Sequence, residues 1–162
     1  VKEIVMRTFI VAAFALAASL AAVPLSLAQT PAAAPAAAAA LPRTPSPAGA
    51  EVYIISPKSG ATVKGPVLVQ FGLKDKMGIA PAGVKFDNTG HHHLLIDTDA
   101  PTDMSAPLPA TDHIKHFGKG QTETTLTLTP GKHTLQLLLA DQNHIPHDPP
   151  VISKKITITV AE

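Results

Sequence analysis

Between Val52 and Val160 the apolar residues recur at every second position, in short runs broken by proline and glycine. Nowhere does a helical period hold for three turns, so the chain must bury its apolar side through strands. Val52-Tyr53-Ile54-Ile55 is a β-rich run closed by the turn cluster Ser56-Pro57-Lys58-Ser59-Gly60, and Val67, Val69, Phe71 and Leu73 then alternate. His92 to Ile96 predicts a third strand, and the unbroken Leu94-Leu95-Ile96 predicts burial on both of its faces. Leu126 and Leu128 alternate with Thr125, Thr127 and Thr129; Pro130-Gly131 then leads into Leu135, Leu137 and Leu139, which predicts a hairpin. A last strand sets Ile152, Ile156, Ile158 and Val160 opposite Ser153, Lys155, Thr157 and Thr159. The pattern predicts an all-β fold, an antiparallel Ig-like β-sandwich of about six or seven strands. The connections 74–90 and 98–120 are long for such a fold, and long ordered loops tend to carry function.

The residues before this region have a different character. Met6-Arg7, an apolar stretch from Phe9 to about Ala22, Pro24 and the small-x-small triplet Ser26-Leu27-Ala28 predict a signal peptide over 1–28. Cleavage after Ala28 would start the exported form at Gln29, with no transmembrane segment left in the mature protein. From 29 to 50 the chain is almost wholly alanine and proline, a composition that blocks helices and offers little apolar surface, which predicts a disordered linker. The folded domain is then 51–162, a length that buries a core without disulfides or metal. The chain has no cysteine, so a lipidated cysteine at the cleavage site is excluded and a periplasmic or secreted location is expected. Residues 51–162 carry ten lysines and eleven carboxylates with no basic run, which argues against nucleic acid or an anionic membrane surface as partner.

All eight histidines fall after residue 90. Seven lie in three clusters: His91-His92-His93, His113-x-x-His116 and His144-x-x-His147. Imidazole is the commonest metal ligand, and without thiolates any metal here must be one that nitrogen, oxygen or thioether donors suit. In the expected hairpin the strand starting near Gln121 and the strand ending near Ala140 share one rim, which makes His116 and His144 neighbours. If the His91–Asp97 strand runs antiparallel to the strand ending at Ala140, its first residues join them on that rim. Period two sends His91 and His93 to one side of their strand and His92 to the other. The expected ligand set is therefore His91, His93, His113, His116, His144 and His147, or four of these. His133, at the opposite end of the hairpin, is expected to be structural. Asp112, Asp141 and Asp148 stand beside the ligands and are candidates to accept the second N–H of a ligating imidazole. Met77 and Met104 read as apolar contacts, and Gly118-Lys119-Gly120 as a turn.

Gly90-His91-His92-His93-Leu94-Leu95-Ile96-Asp97, His113-Ile114-Lys115-His116-Phe117-Gly118-Lys119-Gly120-Gln121-Thr122-Glu123 and Asp141-Gln142-Asn143-His144-Ile145-Pro146-His147-Asp148-Pro149-Pro150 together resemble a bacterial family known as a domain of unknown function. The resemblance spans 51–162 and implies an exported protein; it implies no activity. Ser56-Pro57-Lys58-Ser59-Gly60-Ala61-Thr62-Val63, with Pro66 and the run to Phe71, is similar to the first hairpin of periplasmic copper-resistance proteins of the C type and of other Ig-like export modules. Those copper proteins carry a histidine near the mature N-terminus, where this chain has none, so the likeness implies the sandwich and the compartment but not their site.

Three functions are compatible with these residues. The first is an exported histidine-rich metal-binding protein, with copper favoured over zinc by the Irving–Williams order and the site on one rim of the sandwich. The second is a non-catalytic envelope module that binds a protein, peptide or glycan through the same polar rim. The third is a metal-assisted hydrolase, for which Glu123 is the candidate general base and no nucleophile is evident.

Overall fold

The computed structural model describes residues 42–74 and 76–162. The expected signal peptide and the linker as far as residue 41 lie outside the described residues. Among the described residues nine strands follow in order: β1 (Val52–Ser56), β2 (Thr62–Lys64), β3 (Val67–Leu73), β4 (Gly78–Ile79), β5 (Thr89–Ile96), β6 (Ile114–His116), β7 (Glu123–Leu126), β8 (Gly131–Ala140) and β9 (Ile156–Ala161). They form two sheets, one ordered β1-β3-β7 and one ordered β2-β9-β8-β5-β4, with β6 also pairing β5. The all-β sandwich is as expected. Most pairs are antiparallel, while β2–β9 and β4–β5 are short parallel pairs.

The expected hairpin of 125–139 is not formed. β7 pairs β3 in the smaller sheet, whereas β8 pairs β5 and β9 in the larger one, so Thr127–Pro130 carries the chain from one sheet to the other. Both runs alternate because each contributes an inward face to the same core. Leu126 from one sheet and Leu135, Leu137 and Leu139 from the other meet in it with Val67, Val69, Phe71, Leu94, Ile96, Ile158 and Val160.

β5 is buried on both sides, as its apolar run predicts. His92, Leu94 and Ile96 point between the sheets, and the ring of His92 lies 5.1 Å from that of Phe71. His91, His93 and Leu95 point the other way. Leu95 joins a second apolar cluster with Leu108, Ile114, Leu138 and Ala140, in which the 98–120 connection covers the outer face of the larger sheet. A polar strand face would normally be solvated there; this one is roofed.

Residues 42–50, in the stretch expected to be linker, lie along the domain. Thr44 and Ser46 exchange backbone hydrogen bonds with Asp148 (Asp148 N to Thr44 O 2.9 Å; Ser46 N to Asp148 O 3.0 Å). Ordered structure in the described residues therefore begins well before Glu51. Among the described residues, no helix is long and apolar enough to cross a membrane.

Candidate metal centre

The site grows from strand pairing. β5 runs antiparallel to β8 with His91 opposite Ala140 and His93 opposite Leu138, so the first residues of β5 lie beside the end of β8 and the loop that follows it. β6 pairs the other side of β5 with His93 opposite His116, and cross-strand partners share a face. His116 thus arrives on the roofed face beside His91 and His93. The loop after β8 delivers His144, whose backbone is in the left-handed region (φ 65). Asp141 shapes that loop: its Oδ1 accepts from Asn143 N at 2.8 Å and Ile145 N at 3.0 Å, and its carbonyl accepts from His144 N at 3.0 Å. Such a set of local bonds holds a non-glycine residue in a conformation it rarely adopts.

Four imidazoles converge as a result. Ring centroids lie 4.7 Å apart for His91–His93, 4.2 Å for His93–His116, 4.3 Å for His116–His144 and 4.9 Å for His91–His144. A hydrogen bond joins His91 Nε2 and His144 Nδ1 at 2.9 Å. One nitrogen from each of His91, His93 and His144 lies within 4.8 Å of the others, so these three could hold a metal ion. Tetrahedral bonds of imidazole length set donors about 3.3 Å apart, so modest side-chain rotation would close the ring of donors. His91 and His93 are wholly buried, yet His91 Nδ1, both ring nitrogens of His93 and His116 Nε2 make no well-formed hydrogen bond, and neither do the two ring nitrogens of His92 on the opposite face. Buried polar atoms are ordinarily satisfied, so a cluster of orphaned nitrogens calls for an explanation.

The electrostatics favour neutral rings. Burial, with His144 and His116 beside it, lowers the His91 pKa from 6.5 to about 4, against a smaller upward pull from Asp141. Burial and the neighbouring His91, His116 and His144 lower His93 to about 2. Burial and His144 lower His116 as well. Burial lowers His92, on the opposite face, to about 4 although the Gln121 backbone opposes it. Neutral imidazole is the form that ligates metal, so protonation competes little with a metal near neutrality.

The other expected site residues are elsewhere. His113 is three residues before His116, an odd spacing that sends it to the opposite face of an extended segment. There its Nδ1 meets the Ile96 carbonyl at 2.9 Å, and it lines a cleft with Asp97, Asp112 and Lys115. His147 is buried against the backbone, with Nε2 3.1 Å from the Thr89 carbonyl and Cε1 packed over Gly90. None of the three carboxylates bonds to a cluster imidazole. Asp141 orders the His144 loop and accepts from Thr44 Oγ1 at 2.7 Å, Asp148 pairs with Arg43 at 3.1 Å, and Asp112 is exposed. His133 is structural, as expected: Nδ1 meets Asp97 Oδ2 at 2.7 Å and Nε2 meets the Thr129 carbonyl at 2.8 Å. Glu123 lies on β7 in the smaller sheet, where Gln70 Nε2 donates to it at 3.1 Å. The expected rim location needs correction too: the cluster is at that end of the β5–β8 pair but on the outer face of the larger sheet, under the 98–120 connection.

Residues 69–161 match the family described as Domain of unknown function (DUF4399). The chain belongs to this family. The matched region contains the four converging histidines, whereas the ordered segment 42–50 precedes it. No curated protein matched the chain. Among solved structures it is similar to the fibronectin(III)-like modules of Clostridium thermocellum CbhA, at 12% identity over 68% of this chain and 94% of that one, with a TM-score of 0.43.

Proposed function

We propose that this protein binds one transition-metal ion through His91, His93 and His144, with His116 as the fourth imidazole, and that it does so in the periplasm or outside the cell. The observation that carries the proposal is the convergence of His91, His93 and His144, one nitrogen of each within 4.8 Å of the others, in a cluster that also holds buried ring nitrogens without a hydrogen bond. Leaving such atoms unsatisfied costs about 1–3 kcal/mol each, and a shared ion would take up several of them together. An all-imidazole set suits Cu²⁺ and Zn²⁺, and the Irving–Williams order favours copper. Four imidazoles also complete a tetrahedral shell, which leaves no open position for a substrate and supports binding rather than hydrolysis. The exported location rests on the Ser26-Leu27-Ala28 cleavage site and the family resemblance.

Calorimetry of the tag-free protein with Cu²⁺ and with Zn²⁺ at pH 7.5 tests the proposal. One ion per chain is expected, bound more tightly for copper. Absence of saturable binding of either ion would remove the metal function and leave the envelope binding module in its place.

A further inference from the structure

Residues 43–46 lie outside the matched family region, in a stretch whose composition reads as spacer, and they are tied at every step to the loop that carries His144. Thr44 Oγ1 donates to Asp141 Oδ2 at 2.7 Å, and Asp141 is 1% exposed. Arg43 reaches over the next residues: Nε donates to the Pro146 carbonyl at 3.1 Å, Nη2 to the His147 carbonyl, and Nη1 to Asp148 Oδ1 at 3.1 Å. Pro45 bridges Asp148, and Ser46 Oγ donates to the Pro149 carbonyl at 2.7 Å. We infer that this segment is a strap that positions His144 for the metal, with Thr44 and Arg43 as positioning residues; the inference rests on the metal function proposed above.

The route runs through Asp141. One of its carboxylate oxygens holds Asn143 N and Ile145 N, its carbonyl holds His144 N, and its remaining oxygen is taken by Thr44. Of the four imidazoles, His91, His93 and His116 sit on strands whose ladders set their direction. His144 alone among them sits on a loop, in a left-handed backbone conformation, so it has the most freedom to lose. A donor set that must close by small rotations gains most from fixing its loosest member, because ordering done during folding need not be repeated on binding.

The test is a double-mutant cycle on the full chain with Cu²⁺ as probe, comparing wild type, Thr44→Val, His144→Ala and the double variant by calorimetry and by the Cu²⁺ paramagnetic resonance spectrum. Thr44→Val should lower affinity about tenfold, the lower end for loss of a residue that orients a ligand, and Thr44→Ser should restore it. In the His144→Ala background the same change should have no further effect, and the Thr44→Val spectrum should move toward that of His144→Ala. If Thr44→Val does not fold, Arg43→Gln, which leaves Asp141 bonded, carries the same cycle. Wild-type affinity in the strap variants, or an equal loss with and without His144, overturns the strap while leaving the metal function intact. A wild-type chain that binds no Cu²⁺ overturns the metal function itself.

Discussion

Replacing His93 with leucine should make the metal-free protein more stable and should shrink the stabilisation that metal brings. His93 is fully buried, and neither of its ring nitrogens makes a well-formed hydrogen bond. Each unsatisfied buried polar group costs about 1–3 kcal/mol, while a swap to an apolar side chain of similar size costs up to about 1.5 kcal/mol in repacking. With two such nitrogens the expected net gain for apo His93→Leu is about 0.5–6 kcal/mol at pH 7.5, at roughly 4 °C in Tm per kcal/mol for a domain of this size. The gain should grow in acid. The folded-state pKa of His93 is lowered from 6.5 to about 2, so as pH falls below 6.5 the unfolded chain takes up a proton that the native state refuses. Stability is lost through that window, by about 2 kcal/mol between pH 7.5 and pH 5 for one such histidine. Leucine removes this loss. Urea unfolding in chelator, followed by far-ultraviolet circular dichroism at both pH values, measures the difference. With Cu²⁺ at about a hundred times the wild-type Kd the gap should narrow, because the wild type gains about 2.7 kcal/mol from binding and a variant that binds tenfold more weakly gains about 1.4 kcal/mol. A less stable apo His93→Leu at pH 7.5, or a gap no wider at pH 5, would refute the view that this imidazole is held in the fold for a ligand at the expense of stability.

Metal calorimetry on His91→Ala and His144→Ala should show at least about a tenfold loss of Cu²⁺ affinity, whereas His113→Ala and His133→Ala should leave it unchanged. The Asp97–His133 pair should contribute about 1 kcal/mol, measured as the loss on Asp97→Asn. Its Asp97 side is held below 3.8 because hydrogen bonds from His133 and the Thr134 N–H outweigh the upward pull of partial burial; that contribution is lost as pH falls through the lowered value. Its His133 side is raised above 6.5 by the Asp97 hydrogen bond, so its contribution is full below 6.5 and lost as pH rises through the raised value, and urea titrations at pH 5.5 and 9 should show the difference. Gly90→Ala should cost about 2–3 kcal/mol, because a Cβ there would stand 2.6 Å from the Ala140 carbonyl oxygen and 2.8 Å from His147 Cε1. Gly72→Ala should cost less when thermal melts of the two glycine variants are compared, since its close neighbour is the Tyr53 ring, 38% exposed and free to swing outward.

Period two alone places His91 and His93 together and His92 apart, and the structure has them so, because successive strand side chains alternate whatever the rest of the chain does. The same period could have excluded His113: three residues from His116 on an extended segment is the opposite face. What hid it was the shortness of β6, three residues between loops with no alternation to mark it as a strand. His116 and His144 do meet, but not through a shared hairpin. The runs 125–129 and 134–139 both place leucine at every second position, and a pattern of apolar faces states that two runs border one core without stating whether they border it from the same sheet. That choice is made by non-local ladders, β7 with β3 and β6 with β5, which join residues about fifty and twenty positions apart. Composition likewise makes 29–50 a spacer, and it missed Arg43 to Ser46 because their hydrogen-bond partners lie about a hundred residues away. Local periodicity determined which histidines could share a face; only the tertiary pairing decided which of them do, and that the face they share is roofed and short of hydrogen bonds.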